Sequence, residues 1–326
     1  MSSTVNYKQI GIYENNSGGR IFLVAKSLTE LELYKDEHTI DTYDISNTVI
    51  TINSIKYNKI MPKNIFSEFS RSPEITAGST RRKIRIGTNL IFKSAEKGNR
   101  TLEKILPEIS RNLIAILKGI PHVLNYGIHK NNDDYYIIEE KADIDRFESY
   151  VCNLRKTIIS ECAISKINTN ELHNNIRYKT SYKLSYNINT IIECINTLTE
   201  SVNINDYMTK YTTIQNLLKT KDIGGDTKLS NFGFKMGTDD FIVFDVILPN
   251  TNPFIPLDWD TWYNNDRDKK HYTNYNKFML LYTDPILRLL YKGCTKFRGG
   301  STMRHNKKYT KKHTNKKLKS WLNKIG

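Results

Sequence analysis

Two neighbouring stretches, Ile223-Gly-Gly-Asp-Thr-Lys-Leu-Ser-Asn-Phe-Gly-Phe234 and Phe241-Ile-Val-Phe-Asp-Val-Ile-Leu248, place Asp226, Lys228, Asn231 and Asp245 at offsets 0, +2, +5 and +19. Upstream, Tyr211 to Ile223 reads as a short helix ending at a turn, because Ile214, Leu217 and Leu218 recur at three- and four-residue spacing. Downstream, Phe232–Phe234 and Phe241–Leu248 read as two short strands joined by the turn Gly237-Thr-Asp-Asp240. A hairpin there brings Asp245 back beside Asn231, where one divalent ion can touch both. Asp245 is informative by itself: a carboxylate inside an apolar strand costs desolvation energy unless it is paired or bound to metal. The competing reading is an Asp at a strand end beside Lys228.

Order and spacing of these four residues resemble the catalytic loop and metal-binding Asp of the protein-kinase superfamily. The resemblance implies that Asp226 orients and deprotonates an acceptor hydroxyl and that Lys228 neutralises charge on the γ-phosphate. It also implies that Asn231 and Asp245 hold Mg²⁺, with ATP as the phosphoryl donor. Further stretches follow in family order. Leu90-Ile-Phe-Lys-Ser94 resembles the third strand of a small lobe, with Lys93 as the lysine on the α- and β-phosphates. A helix is expected over about 101–118, with Glu108 as the carboxylate that orients Lys93. Pro107 interrupts that helix, so it either starts there or leaves the role to Glu103. Ile114 to Gly127 resembles the passage into a fourth strand, closest to the casein-kinase-1 branch. Asp134-Tyr-Tyr-Ile-Ile-Glu-Glu140 resembles the fifth strand and hinge, with Ile138 as gatekeeper and Glu139 to Lys141 presenting backbone groups to adenine.

Departures from the family pattern carry information too. Around Gly78, Thr76-Ala-Gly-Ser-Thr80 before Arg82-Lys-Ile-Arg-Ile-Gly87 supplies one or two glycines where the family's phosphate loop has three. A rival set lies near the start, Gly18-Gly19 with Lys26 or Lys35, but Lys93 leaves the normal distance to helix and hinge. Gly224-Gly225 stands where His-Arg usually precedes the catalytic Asp, which argues against control by a phosphorylated loop. Val246-Ile247 replaces the Phe-Gly after the metal-binding Asp, so that segment is expected to flip less readily. Asp260-Thr-Trp262 follows Asp245 too closely for a full peptide platform. The acceptor is therefore a protein or a small-molecule hydroxyl, or transfer has been lost.

The expected fold class is α+β: a two-lobe kinase-like fold with a small β-rich lobe and a larger helical lobe. We divide the chain into a β-rich element over 1–70, a small lobe over 71–140, a helical lobe over 141–296 with an insertion near 155–186, and a basic tail over 297–326. A further helix is expected from Asn187 to Val202. The 326 residues suffice for a substantial core. No apolar run is long enough to span a bilayer and no secretory leader is evident, so the expected location is a host cytoplasm or a virion, without membrane attachment. Cys152, Cys162, Cys194 and Cys294 form no C-x-x-C pair and no metal-ligand spacing with histidine, which points to structural thiols in a reducing compartment. None of the seven histidines is assigned to catalysis.

Charge is distributed unevenly. The chain carries +15 overall, and residues 297–326 hold ten Lys or Arg and no acid. Such a block repels itself, has little to bury, and binds polyanions through counterion release. Tyr309, His313 and Trp321 add stacking surfaces for exposed bases. The tail resembles the C-termini of many large-DNA-virus proteins, which implies a giant-virus source. Two alternatives to the enzyme therefore stand: a catalytically silent kinase-like scaffold, and a basic virion protein that binds nucleic acid through its tail.

Overall fold

The computed structural model describes residues 4–46, 48–77, 82–95, 100–162, 194, 197–198, 202–221, 223–225, 229–244 and 246–247. Gly78, Asp226, Lys228, Asp245, the Asp260–Trp262 motif and the 297–326 tail lie outside them, as do most of the expected insertion and nearly all of the expected 187–202 helix.

The chain begins with a seven-stranded antiparallel sheet built from β1 (Gly11–Glu14), β2 (Arg20–Ala25), β3 (Leu31–Lys35), β4 (His38–Thr39), β5 (Asp44–Ile45), β6 (Val49–Ile52) and β7 (Ile55–Lys59). Two of its hairpins turn on residue pairs with positive φ at both positions, Asp36-Glu37 and Asn53-Ser54. That turn geometry matches the right-handed twist of the flanking strands. The sheet curls over its own side chains: Tyr13, Ile21, Leu23, Leu33, Ile50 and Tyr57 form a core that no helix supplies. Its other face presents Ile10, Ile12, Phe22 and Val24.

A short helix, α1 (Ile65–Arg71), leads into a second antiparallel sheet of β8 (Glu74–Ala77), β9 (Arg82–Ile86), β10 (Leu90–Ser94), β11 (Asn125–Asn131) and β12 (Asp134–Glu140). Its spatial order is β11-β12-β10-β9-β8. Between β10 and β11 the chain makes α2 (Leu102–Leu117). Strand alternation sorts the side chains of this sheet. Leu90, Phe92, Tyr136 and Ile138 face α1, packing on Ile65 and Phe69. The alternate positions, Lys93 and Ile137 among them, face α2.

Helix α2 lies between the two sheets. Ile105, Leu106, Ile109 and Leu113 share one core with Val5, Ile10, Ile12, Phe22, Val24 and Ala25 of the first sheet region and with Ile128 and Ile137 of the second. The backbone N–H of Ala25 donates to Ser110 Oγ at 3.2 Å inside this core. Pro107 sits within the helix and does not end it. Its missing N–H costs one helical hydrogen bond, and burial on two sides offsets that loss.

The remaining body holds α3 (Ile144–Glu161), α4 (Val202–Thr220), β13 (Gly224–Gly225), β14 (Phe232–Phe234), β15 (Phe241–Val243) and β16 (Val246–Ile247). Phe147, Tyr207, Tyr211, Phe232, Phe234 and Phe241 form an aromatic core, with Phe147 and Phe241 edge-on at 5.2 Å and Tyr211 and Phe232 stacked at 5.2 Å. Residues 155–161, expected to belong to an insertion, are the last turns of α3. The 211–223 helix begins earlier than its periodicity indicates, at Val202, because Ile204, Tyr207 and Tyr211 extend the buried face.

The cysteine expectation is overturned. Cys162 is joined to Cys194 by a disulfide, Cys152 is also disulfide-bonded, and no described cysteine is a free thiol. Cysteine spacing could not show this, since the pairing joins residues brought together only by folding. Disulfides of this kind persist in oxidising surroundings.

Candidate active site

Lys93 stands on β10 opposite Ile84 of β9 and Ile137 of β12. Its Nζ lies 2.9 Å from Glu108 Oε1 on α2. Glu108 is the carboxylate in contact, while Glu103 is exposed in the first turn of the same helix. Lys26, the rival lysine, is spent on Glu30 and Glu32 at 3.2 and 3.1 Å on an exposed edge, and Lys35 ends β3 in an exposed position.

Glu108 has a second cation. Arg82 Nη1 donates to both of its carboxylate oxygens at 2.7 Å. The carboxylate side chain is 12% exposed and each cation 24%. Burial alone would push the Glu108 carboxyl up, but the charges of Lys93 and Arg82 and their hydrogen bonds outweigh it and hold the group at about 2. Burial alone would likewise lower Lys93, yet Glu108 and Glu139 keep it protonated well above the usual lysine range.

Glu139 is buried on the Lys93 face of β12, where Asn112 Nδ2 of α2 donates to its Oε1 at 3.3 Å and to Asn125 Oδ1 at 3.2 Å. Ile138, assigned above as gatekeeper, instead points to the α1 side. The side chain at the back of the site is therefore a carboxylate. Strand alternation is the reason, since a one-residue shift exchanges faces. Two N–H groups expected to meet adenine are used internally: Glu140 N–H donates to Leu124 O and Lys141 N–H to Asn89 O, both at 2.8 Å.

The run from Phe241 to Leu248 is not one strand. It breaks after Val243, and its two parts pair with different partners: β15 with β14, and β16 with β13. The rung Gly225↔Val246 joins the residue before Asp226 to the residue after Asp245. Antiparallel partners have Cα atoms about 4.5–5.5 Å apart. At the break, Phe244 N–H donates to Asn231 O at 2.8 Å. Asn231 itself is buried at the end of a 3-10 turn, Leu229–Asn231.

His122, in the turn after α2, reaches the Phe241–Phe244 stretch. Its Nδ1 lies 2.8 Å from Val123 O and its Nε2 3.2 Å from Phe244 O. Burial lowers its pKa; it senses the charges of Glu139 and Lys93. Val246 packs with Ala115 of α2 in the same core as Leu229 and Phe232. Arg82, Asn112 and His122 were not singled out from the sequence. Only Arg82 left a signal, two positions before Ile84 and so on the face of Lys93 once the β9–β10 register is known.

Among the described residues no group of three or more His, Cys, Asp or Glu could hold a metal ion, and no helix is long and apolar enough to cross a membrane. Comparison with protein-family models, with curated proteins and with solved structures finds no match to this chain.

Proposed function

We propose that the chain is an ATP-dependent phosphotransferase with a two-lobe, protein-kinase-like architecture that moves the γ-phosphate to a hydroxyl. The observation that carries this reading is the Gly225↔Val246 rung. It draws together the chain segments that carry Asp226 and Asp245, and the Phe244 to Asn231 hydrogen bond adds the third member of the set. The Lys93–Glu108 ion pair supports the same reading from the second sheet, and the contact of His122 with Phe244 O joins the turn after α2 to the Phe241–Phe244 stretch.

In this proposal Lys93, oriented by Glu108, binds the inner phosphates of the nucleotide. Asp226 accepts the proton of the incoming hydroxyl, and Lys228 offsets charge gathering on the transferred group. The amide of Asn231 and the carboxylate of Asp245 are hard oxygen donors suited to Mg²⁺, which keeps several waters and takes its remaining ligands from phosphate oxygens. Bound there, the ion would neutralise phosphate charge. The acceptor is a protein or small-molecule hydroxyl, and the basic tail adds salt-sensitive nucleic-acid binding as a separate property.

Calorimetry of ATP with and without Mg²⁺ tests the proposal. Metal-dependent ATP binding that is lost in Lys93→Met is the expected result. Absence of ATP binding by the full chain, with the metal present, would leave the scaffold and virion-protein alternatives.

A further inference from the structure

Arg82 has no role in the account above, yet it shares the carboxylate that orients Lys93. We infer that Arg82 is a second phosphate-binding cation of this site, placed to take the outermost phosphate of a nucleoside triphosphate. The inference rests on the nucleotide-binding reading and adds to it a residue that decides triphosphate over diphosphate.

The argument is one of position. In the β10 ladder, Leu90 pairs with Glu140 and Lys93 with Ile137, so β10 runs away from the end of β12 where the adenine is proposed to sit. Ile84 of β9 is opposite Lys93, and Arg82 lies two residues beyond it in the same direction. Strand rise is about 3.3 Å per residue, which places Arg82 on the Lys93 face and about 7 Å farther from the base. Side chains on one face of the paired strands β9 and β10 thus form a row that starts near the base, passes Lys93 and ends at Arg82. A polyphosphate extended along that row meets Lys93 first and Arg82 last.

The charges fit an anion. Glu108 brings one negative charge to two cations, with Nη1 of Arg82 at 2.7 Å and Nζ of Lys93 at 2.9 Å. The second carboxylate, Glu139, lies at the opposite, base-proximal end, across from Ile91. The cluster is therefore polar along its length, anionic toward the base and cationic toward the terminal phosphate. A guanidinium also suits this task geometrically, because its planar fork matches phosphate oxygens. Glu108 holds the arginine in place before the nucleotide arrives, which lowers the entropy cost of recruiting it.

The test compares adenosine, ADP and ATP binding, with Mg²⁺ present, by the full chain and by Arg82→Gln and Arg82→Lys. Arg82→Gln should weaken ATP about 10- to 100-fold, the loss of one charge-assisted contact. ADP should weaken much less and adenosine should not change, so the ATP-to-ADP preference collapses. Arg82→Lys, which keeps the charge and spares the fold, should recover part of the preference. Equal weakening of all three ligands, or an unchanged preference in both variants, would overturn the inference and leave Arg82 a partner of Glu108 only. Failure of the unaltered chain to bind ATP would instead overturn the nucleotide-binding reading beneath it.

Discussion

Replacing Glu108 by Gln tests the packing and the electrostatics of the site together. The substitution keeps the volume of the side chain and removes one charge from beneath two cations. Breaking a buried pair by removing one member costs about 3–5 kcal/mol. Here each cation keeps about a quarter of its side chain in water, and Glu139 stays close to Lys93. Screening reduces the expected cost to about 2–3 kcal/mol. The same contacts hold the carboxyl at about 2, well below its ordinary 4.5, a shift on the order of 3 kcal/mol at one pKa unit per about 1.36 kcal/mol. The sign follows from a folded-state pKa below the unfolded one. Stabilisation is complete above about pH 4.5 and disappears as pH falls toward 2. Urea unfolding of the two chains at pH 7, 5, 4 and 3 measures it. The gap between them should be about 2–3 kcal/mol at pH 7 and shrink below pH 4.5, since the other carboxylates titrate in both. A gap under about 0.5 kcal/mol at pH 7, typical of an exposed pair, or one that is the same at pH 3, would refute the reasoning.

The remaining predictions concern other parts of the chain. Asp245→Asn should abolish Mg²⁺-dependent ATP binding, whereas Asp226→Asn should spare binding and lower turnover by orders of magnitude; unimpaired transfer by both would dismiss the motif. Cys162→Ser, which opens a bridge between residues 32 apart in sequence, should lower the unfolding free energy by about 3–4 kcal/mol in urea titration. A truncation after Gly299 should lose most DNA or RNA affinity and the steep salt dependence of about −0.7 to −0.9 per phosphate neutralised. Nucleic-acid binding that survives truncation at moderate salt would locate the binding surface on the folded body.

How much was legible in the sequence depends on the range of the interaction involved. Local patterns gave the elements: the alternation in Leu90–Ser94 and Asp134–Glu140 is that of β10 and β12, and the helix expected over 101–118 is α2 at Leu102–Leu117. The family resemblance also proposed the partner of Lys93, Glu108 on the next helix, and the two are in contact. Register and long-range contact could not be read in this way. Ile138 and Glu139 are adjacent in sequence, and only pairing with β10 decides which of them faces the lysine. The break after Val243 appears only because β16 finds Gly224-Gly225, a partner 21 to 23 residues away in the chain. Arg82, Asn112 and His122 join the site through contacts across sheet and helix, and the Cys162–Cys194 bridge likewise needs the fold. The sequence by itself determined which segments become strands and helices and which charged residues they carry, since those properties depend on neighbours a few positions apart. Tertiary structure decided which faces meet, because burial of α2 between two sheets is a property of the whole chain and no local pattern encodes it.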